Sequence, residues 1–164
     1  VRRDGHRGDG EALRAAASAL LRACHVATVA TAGPWAAAVF YAPDGPDLVF
    51  LSSPRSRHAR ALARDPRAAV TIQGQPAWRA VRGVQASGRV ERLRGAELER
   101  LRGVYLARFP FLRARPLAPP LARALRRARW FRFRPRRLWL VGASTGLGRR
   151  SVPLWRGRRP PRHR

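Results

Sequence analysis

Residues 48–62 read Leu-Val-Phe-Leu-Ser-Ser-Pro-Arg-Ser-Arg-His-Ala-Arg-Ala-Leu, and their polar members gather at one point. The apolar run 48–53 has the pattern of a strand. Ser53-Pro54 then reads as a helix start, with Ser at the cap and Pro in the first turn. The helix is expected to run to about Arg64, where Asp65-Pro66 breaks it. Ser52, Ser53, Ser56, Arg57 and His58 therefore fall where a strand gives way to a helix. Backbone N–H groups at that end carry the positive pole of the helix dipole. Hydroxyl donors and a guanidinium fork beside them make a phosphate site chemically sensible. The same residues would also serve a capped surface helix with solvated arginines, and the pattern alone weighs the two about evenly.

Most other chemistry is excluded by residue type. The sequence has no Lys, so Schiff-base and lysine-nucleophile reactions are impossible, and it holds no phosphate loop and no Gly-x-Gly-x-x-Gly. His6, His25, His58 and His163 make no i,i+4 metal pair, and Cys24 alone cannot build a zinc cluster. The 9 acidic residues are scattered and give no convincing carboxylate dyad. The expectation is no metal, no hydrolase, and a chemistry that belongs to a bound cofactor.

The 164 residues suffice for one domain with a real core, and 45% of them are hydrophobic, which excludes a wholly disordered chain. The 35 basic residues, all Arg, against 9 acidic ones give a net charge of +26. Such a field attracts polyanions, and non-specific nucleic-acid binding is one expectation. The absence of Lys, Asn and Met beside abundant Ala, Arg, Gly and Pro instead fits GC-rich codons, so most of the excess reads as drift on a solvated surface. After Glu99 there is no acid, and 20 of the 35 Arg lie from Arg100 onward. Residues 149–164 read as a flexible basic tail and residues 1–8 as a frayed start, leaving 9–148 as the folded domain. No apolar run approaches the ~20 residues of a membrane span, no secretory leader is visible, and a lone Cys24 fits a reducing cytoplasm.

Periodicity supplies the elements that would position the cluster. Asp9 can cap a helix whose inward stripe is Leu13, Ala16, Ala17, Leu20, Leu21 and Cys24. Residues 25–32 and 35–42 read as strands around Gly33-Pro34, and residues 48–53 as a third. Residues 68–73 form another. Residues 84–93 alternate, with Val84, Ala86, Gly88 and Val90 on one face, and Gly88 marks a bulge or close backbone approach. Residues 96–108 are helical, with Leu98, Leu101 and Tyr105 inward. Pro119-Pro120 opens a further helix with Leu121 and Leu125 inward. Residues 130–134 and 137–141 read as paired strands around Pro135. Phe131 and Phe133 share one face and Arg132 and Arg134 the other, as in a half-buried strand rather than a single-strand-binding platform. Strands at the centre and helices at the edges point to an antiparallel barrel, mainly β within the α+β class.

Phe50-Leu-Ser-Ser-Pro-Arg-Ser-Arg-His58 resembles the "FYTN..SRK" segment of the pyridoxamine 5′-phosphate oxidase-like family of FMN-binding split barrels. Asp65-Pro-Arg-Ala-Ala-Val70 resembles that family's "NPRVSL" strand. Arg82-Gly-Val-Gln85 with Gly88, the Tyr105, Arg108, Phe109, Pro110 helix end, and Gly142-Ala-Ser-Thr-Gly-Leu-Gly-Arg149 resemble the "RGVQ..G", "Y..RFP" and "DN..GFG.R" stretches of its YhbP-type branch. The likeness covers roughly residues 12–150. It implies a six-stranded antiparallel split β-barrel with peripheral helices, a homodimer, and FMN held between subunits. By position, Ser52, Ser56, Arg57 and His58 would hold the FMN phosphate and ribityl chain, and Gln85 would face the flavin or the dimer partner.

Some of the family's residues are replaced. The oxidase's second-strand Arg and Lys fall near Ala36 and Tyr41, its last SRK position is His58, and its C-terminal Arg-x-His has no ordered counterpart. Asp-Asn before the late glycines is Gly142-Ala143. The resemblance therefore implies a flavin-dependent oxidoreductase acting on something other than pyridoxamine phosphate. The alternatives are a non-catalytic flavin- or haem-binding module and a non-specific nucleic-acid binder.

Overall fold

A computed structural model describes residues 5–74, 82–113, 117–142 and 149–152. Helix α1 (Gly5–Ala23) leads into β1 (Val26–Thr31), β2 (Trp35–Asp44) and β3 (Asp47–Ser52). Helix α2 (Arg57–Arg64) follows, then β4 (Arg67–Gln73), β5 (Arg82–Arg92) and α3 (Gly95–Arg108). A 3-10 turn (Pro110–Arg113), α4 (Pro119–Arg127), β6 (Arg129–Gly142) and β7 (Arg149–Val152) complete the order. The sheet runs β3-β2-β1-β4-β5-β6-β7, and a further β3–β6 pairing closes its first six strands into an antiparallel barrel. The expected barrel and its peripheral helices are thus present.

The barrel interior follows from alternation. Val29, Tyr41, Phe50, Ile72 and Val84 come one from each of β1 to β5, Phe133 and Leu138 come from β6, and all are almost wholly buried together. Leu21 of α1 joins them, and its carbonyl accepts a 2.8 Å hydrogen bond from Tyr41 Oη. Outside the wall, α3 lays Leu101 and Tyr105 on Ala42 and Val49, forming a second small core with Leu93 and Phe109. Arg108, at the end of α3, donates to the carbonyls of Arg22 and Cys24, so one guanidinium serves the C-terminal end of α1.

Gly88 meets both expectations. The β5–β6 register shifts between Ser87 and Gly88, opposite Pro135, and a Cβ on Gly88 would collide with the Arg134 carbonyl oxygen. Other expectations need correction. Residues 130–134 and 137–141 do not pair with each other: they are two halves of one strand, β6. The first half is shared between β3 and β5, the second between β5 and β7. Pro135 is tolerated because it sits at the bulge.

Asp9 does not cap α1, which already includes it. Helix α4 buries none of its residues, and Leu121 is exposed. The chain expected to begin a tail at Arg149 instead adds β7 to the sheet. Residues 1–4, the Gln75-Pro76 turn, most of the late glycine stretch and residues 153–164 lie outside the described residues. Among the described residues no helix is long and apolar enough to cross a membrane, and no cluster could hold a metal ion.

Candidate functional site

Ser52 is the last residue of β3 and shares the strand face of Leu48 and Phe50, both in the barrel core. Its hydroxyl therefore stands at one end of the barrel rather than on the outer wall. The chain then turns, with Ser56 N–H donating to the Ser53 carbonyl and Arg55 N–H to Ser53 Oγ. Helix α2 begins after this turn and folds back over the same barrel end, burying Ala59 and Leu62 in the core. The cap is Ser56, not Ser53: Ser56 Oγ accepts from Ala59 N–H at 3.2 Å. Ser53 and Pro54 are consumed by the turn, so the helix starts later than Ser-Pro spacing implied.

Three side chains close a small polar triangle at this point. Ser52 Oγ is 2.7 Å from His58 Nε2 and 3.1 Å from Ser56 Oγ, and Ser56 Oγ is 3.4 Å from His58 Nε2. Burial of the imidazole lowers the His58 pKa below its ordinary 6.5. The tautomer decides the direction of the Ser52–His58 bond: a ring protonated at Nε2 donates to Ser52 Oγ and leaves the Ser52 hydroxyl proton free for a ligand. Burial is the cause of the shift, and among the described residues no carboxylate is hydrogen-bonded to the ring. The Ser52–His58 pair thus lacks the acid that orients and strengthens the base in a hydrolytic triad.

Arg57 occupies the first position of α2 and is exposed. Its guanidinium carbon lies 4.4 Å from the centre of the Trp35 ring, a cation–π contact joining α2 to the start of β2. Trp35 itself is 40% exposed. No acidic residue sits in the first turn of α2. The first N–H groups of any helix lack intrahelical acceptors. Here they lie beside two hydroxyls, a neutral imidazole donor and a guanidinium. That donor set suits a dianionic phosphate, and the Trp35 ring adds an apolar face next to it.

Four of the five expected site residues, Ser52, Ser56, Arg57 and His58, are therefore brought together. Gln85 is not with them. It is exposed on the outer face of β5, flanked by Thr71 and Trp139 of the neighbouring strands. Ala36 and Tyr41 hold no anion: Ala36 is exposed on the outer wall, and Tyr41 is fully buried with its hydroxyl spent on Leu21. Sequence reasoning missed Trp35, whose signal was a large aromatic directly after the Gly33-Pro34 turn. It also missed Arg132. That residue is only 6% exposed and pairs with Glu91 and Glu97, with Asp47 at 3.9 Å. Alternation had assigned it to a polar face, but α3 brings Glu97 over that face.

The family description of pyridoxamine 5′-phosphate oxidase matches residues 13–142. The UPF0306 protein YhbP of Escherichia coli is 40% identical over 90 residues, which are 53% of this chain and 60% of that protein. A UPF0306 protein of Klebsiella pneumoniae is 33% identical over 119 residues, 71% of this chain and 74% of the relative. A haem-binding protein of Mycobacterium smegmatis superposes with a TM-score of 0.66 at 25% identity, over 93% of this chain and 60% of that one. A FAD-binding protein of Mesorhizobium loti gives 0.61 at 19% identity, over 75% of this chain and 89% of that one, a likeness of fold. The chain spans less than two thirds of the E. coli and M. smegmatis proteins.

Proposed function

The chain belongs to the pyridoxamine 5′-phosphate oxidase family, within its YhbP-type branch, and from that premise we propose that it binds FMN as a homodimer and works as a flavin-dependent oxidoreductase. The observation that carries this reading is the convergence of Ser52, Ser56, Arg57 and His58 at the N-terminus of α2. Arg57 would leave or extend from the Trp35 ring to grip two phosphate oxygens. Ser52 and Ser56 would donate to the remaining phosphate and ribityl oxygens, and the α2 N–H groups would complete the cradle. FMN, when bound, supplies a two-electron acceptor and donor, so the protein's own contribution is position and electrostatics.

The substrate is other than pyridoxamine phosphate on this reading, because Ala36 and Tyr41 replace the family enzyme's second-strand cations. Gln85 would face the flavin or the partner across the outer wall. That wall carries Phe40 at 61% exposure and Val26 at 43%, directly opposite each other in the β1–β2 ladder, an apolar pair a second subunit would cover. A reducing cytoplasm, fitted by the free Cys24, is part of the same reading.

A haem-binding module without turnover is the second reading, supported by the 25% identical haem-binding protein of M. smegmatis. The absorption spectrum of freshly purified protein separates the two. Flavin bands at about 370 and 450 nm support the first, and a single intense band at about 400 nm supports the second. Turnover with a reduced nicotinamide then tests the oxidoreductase assignment.

A further inference from the structure

Away from the α2 mouth, the outer side of the barrel holds a groove of about 520 Å³ bounded by α3, the 3-10 turn, α4 and the first residues of β6. Its floor is aliphatic and aromatic: Leu98, Leu106, Leu112 and Trp130, all half-buried, with Leu125 reaching in from α4. Helix α4 explains why the groove stays open. Its Leu125 lines the groove, yet none of its residues is buried, so it forms a wall without filling the space.

The rim is cationic. Arg92 at the end of β5, Arg94 at the N-cap of α3, Arg102 on α3, Arg126 on α4 and Arg129 at the start of β6 all line it. Only Arg102 meets a carboxylate, Glu99 at 3.9 Å, and Glu97 is already committed to Arg132. Among the described residues no ion pair neutralises Arg92, Arg94, Arg126 or Arg129. Burial, with the like charges of Arg94 and Arg129, lowers the Arg92 pKa, so the cations crowd one another. These guanidinium groups are exposed and, among the described residues, unpaired by acids, so their positive field over the apolar trough complements an anionic head group, and the volume lies within the range of small-molecule sites.

We propose that this groove binds an amphiphilic anion, a molecule with an acyl chain that lies on the leucines and a carboxylate or phosphate head held by the arginine rim. Leu98, Leu106, Leu112 and Leu125 against one tryptophan along the trough favour a flexible acyl chain, and the arginine rim favours a negative head. The site is separate from the α2 cradle and does not rest on flavin binding.

The test uses the full chain and displacement of the fluorescent probe 1-anilinonaphthalene-8-sulfonate by single-chain competitors. Dodecanoate and dodecyl phosphate, below their micelle concentrations, are expected to displace it. Dodecanol, acetate and inorganic phosphate should each be at least ten times weaker, because each lacks one half of the chemistry. The double variant R94A/R129A should weaken dodecyl phosphate about tenfold. R89A, a change of charge on β5 outside this groove, should not. Leu125→Asn should weaken the alkyl competitors while leaving the far-ultraviolet circular dichroism unchanged. Inorganic phosphate as strong as dodecyl phosphate would overturn the proposal, as would an equal loss in R89A. Binding only to anionic vesicles, with no monomer bound, would overturn it too. Should α4 unfold in the variants, the ratio of dodecyl phosphate to dodecanol affinity on the unaltered protein decides the matter alone.

Discussion

Burial moves His58 and Asp47 in opposite directions, because one is charged when protonated and the other when deprotonated. His58 falls below 6.5, and Asp47 rises from 3.8 to about 6 against the opposing pull of Arg132 and Arg134. For His58 the unfolded chain takes up its proton first as the pH drops. Its contribution to stability is therefore present above pH 6.5 and lost on descent towards the folded value. For Asp47 the folded chain holds a proton that the unfolded chain has released. Its contribution is full below pH 3.8 and lost as the pH rises through about 6. The Asp47→Asn variant should therefore gain on the parent between pH 4 and 7, by up to about 2–3 kcal/mol. Urea denaturation across that range checks this, and a pH-independent difference would contradict it. Burial of the His58 ring, which favours its neutral form, also bears on ligand binding. The imidazole is neutral at pH 7 and above, so the effect of His58→Ala on FMN affinity should be constant from pH 7 to 8. A titration series showing an effect that fades towards pH 8 would contradict a neutral ring.

Helix α2 and strand β6 show what sequence patterns carry and what they omit. Alternation located β1 to β5 and both halves of β6 because one face of each is buried, but not β7, which lies in the stretch read as a basic tail. The Gly88 bulge was legible since only glycine lets the Arg134 carbonyl approach so closely. Replacing Gly88 with Ala should cost about 1–3 kcal/mol, as overpacking against backbone cannot be relieved by a rotamer change. A thermal melt unchanged from the parent would contradict this. What local pattern lacked was long-range pairing. Pro135 looked like the end of a strand, but β6 spans it because the bulge opposite absorbs the missing donor. Ser53-Pro54 looked like a helix start, but Ser56 won the cap by having Ala59 N–H within reach. In α4 the leucine spacing was read as an inward stripe, yet among the described residues no element covers Leu121, and Leu125 is only half-buried. The proposed cradle rests on four residues that are close in sequence, which made their cluster legible. Trp35 and the Arg132 cluster were not, since both depend on elements that meet only in the folded barrel.

At the level of the whole molecule, the outer wall and the cradle bear on one assembly. The wall around Phe40 and Val26 is apolar and exposed, with Ala36 and Ala38 small enough to allow close approach of a second sheet. A homodimer is expected to bury it. Sedimentation in moderate salt should give twice the chain mass, and Phe40→Glu should return the protein to single chains. A parent that stays monomeric at tens of micromolar would contradict the assembly. The central claim is that the α2 mouth recognises a flavin through its phosphate. Titrating FMN and riboflavin into the same protein tests it most directly, since the two ligands differ only by that group. FMN should bind the parent about ten- to a hundredfold more tightly. Most of that preference should vanish in Arg57→Ala and persist in Arg60→Ala and Arg64→Ala, which lie farther along the same helix. Equal affinities for FMN and riboflavin in the parent protein, or an equal loss in all three variants, would contradict the cradle.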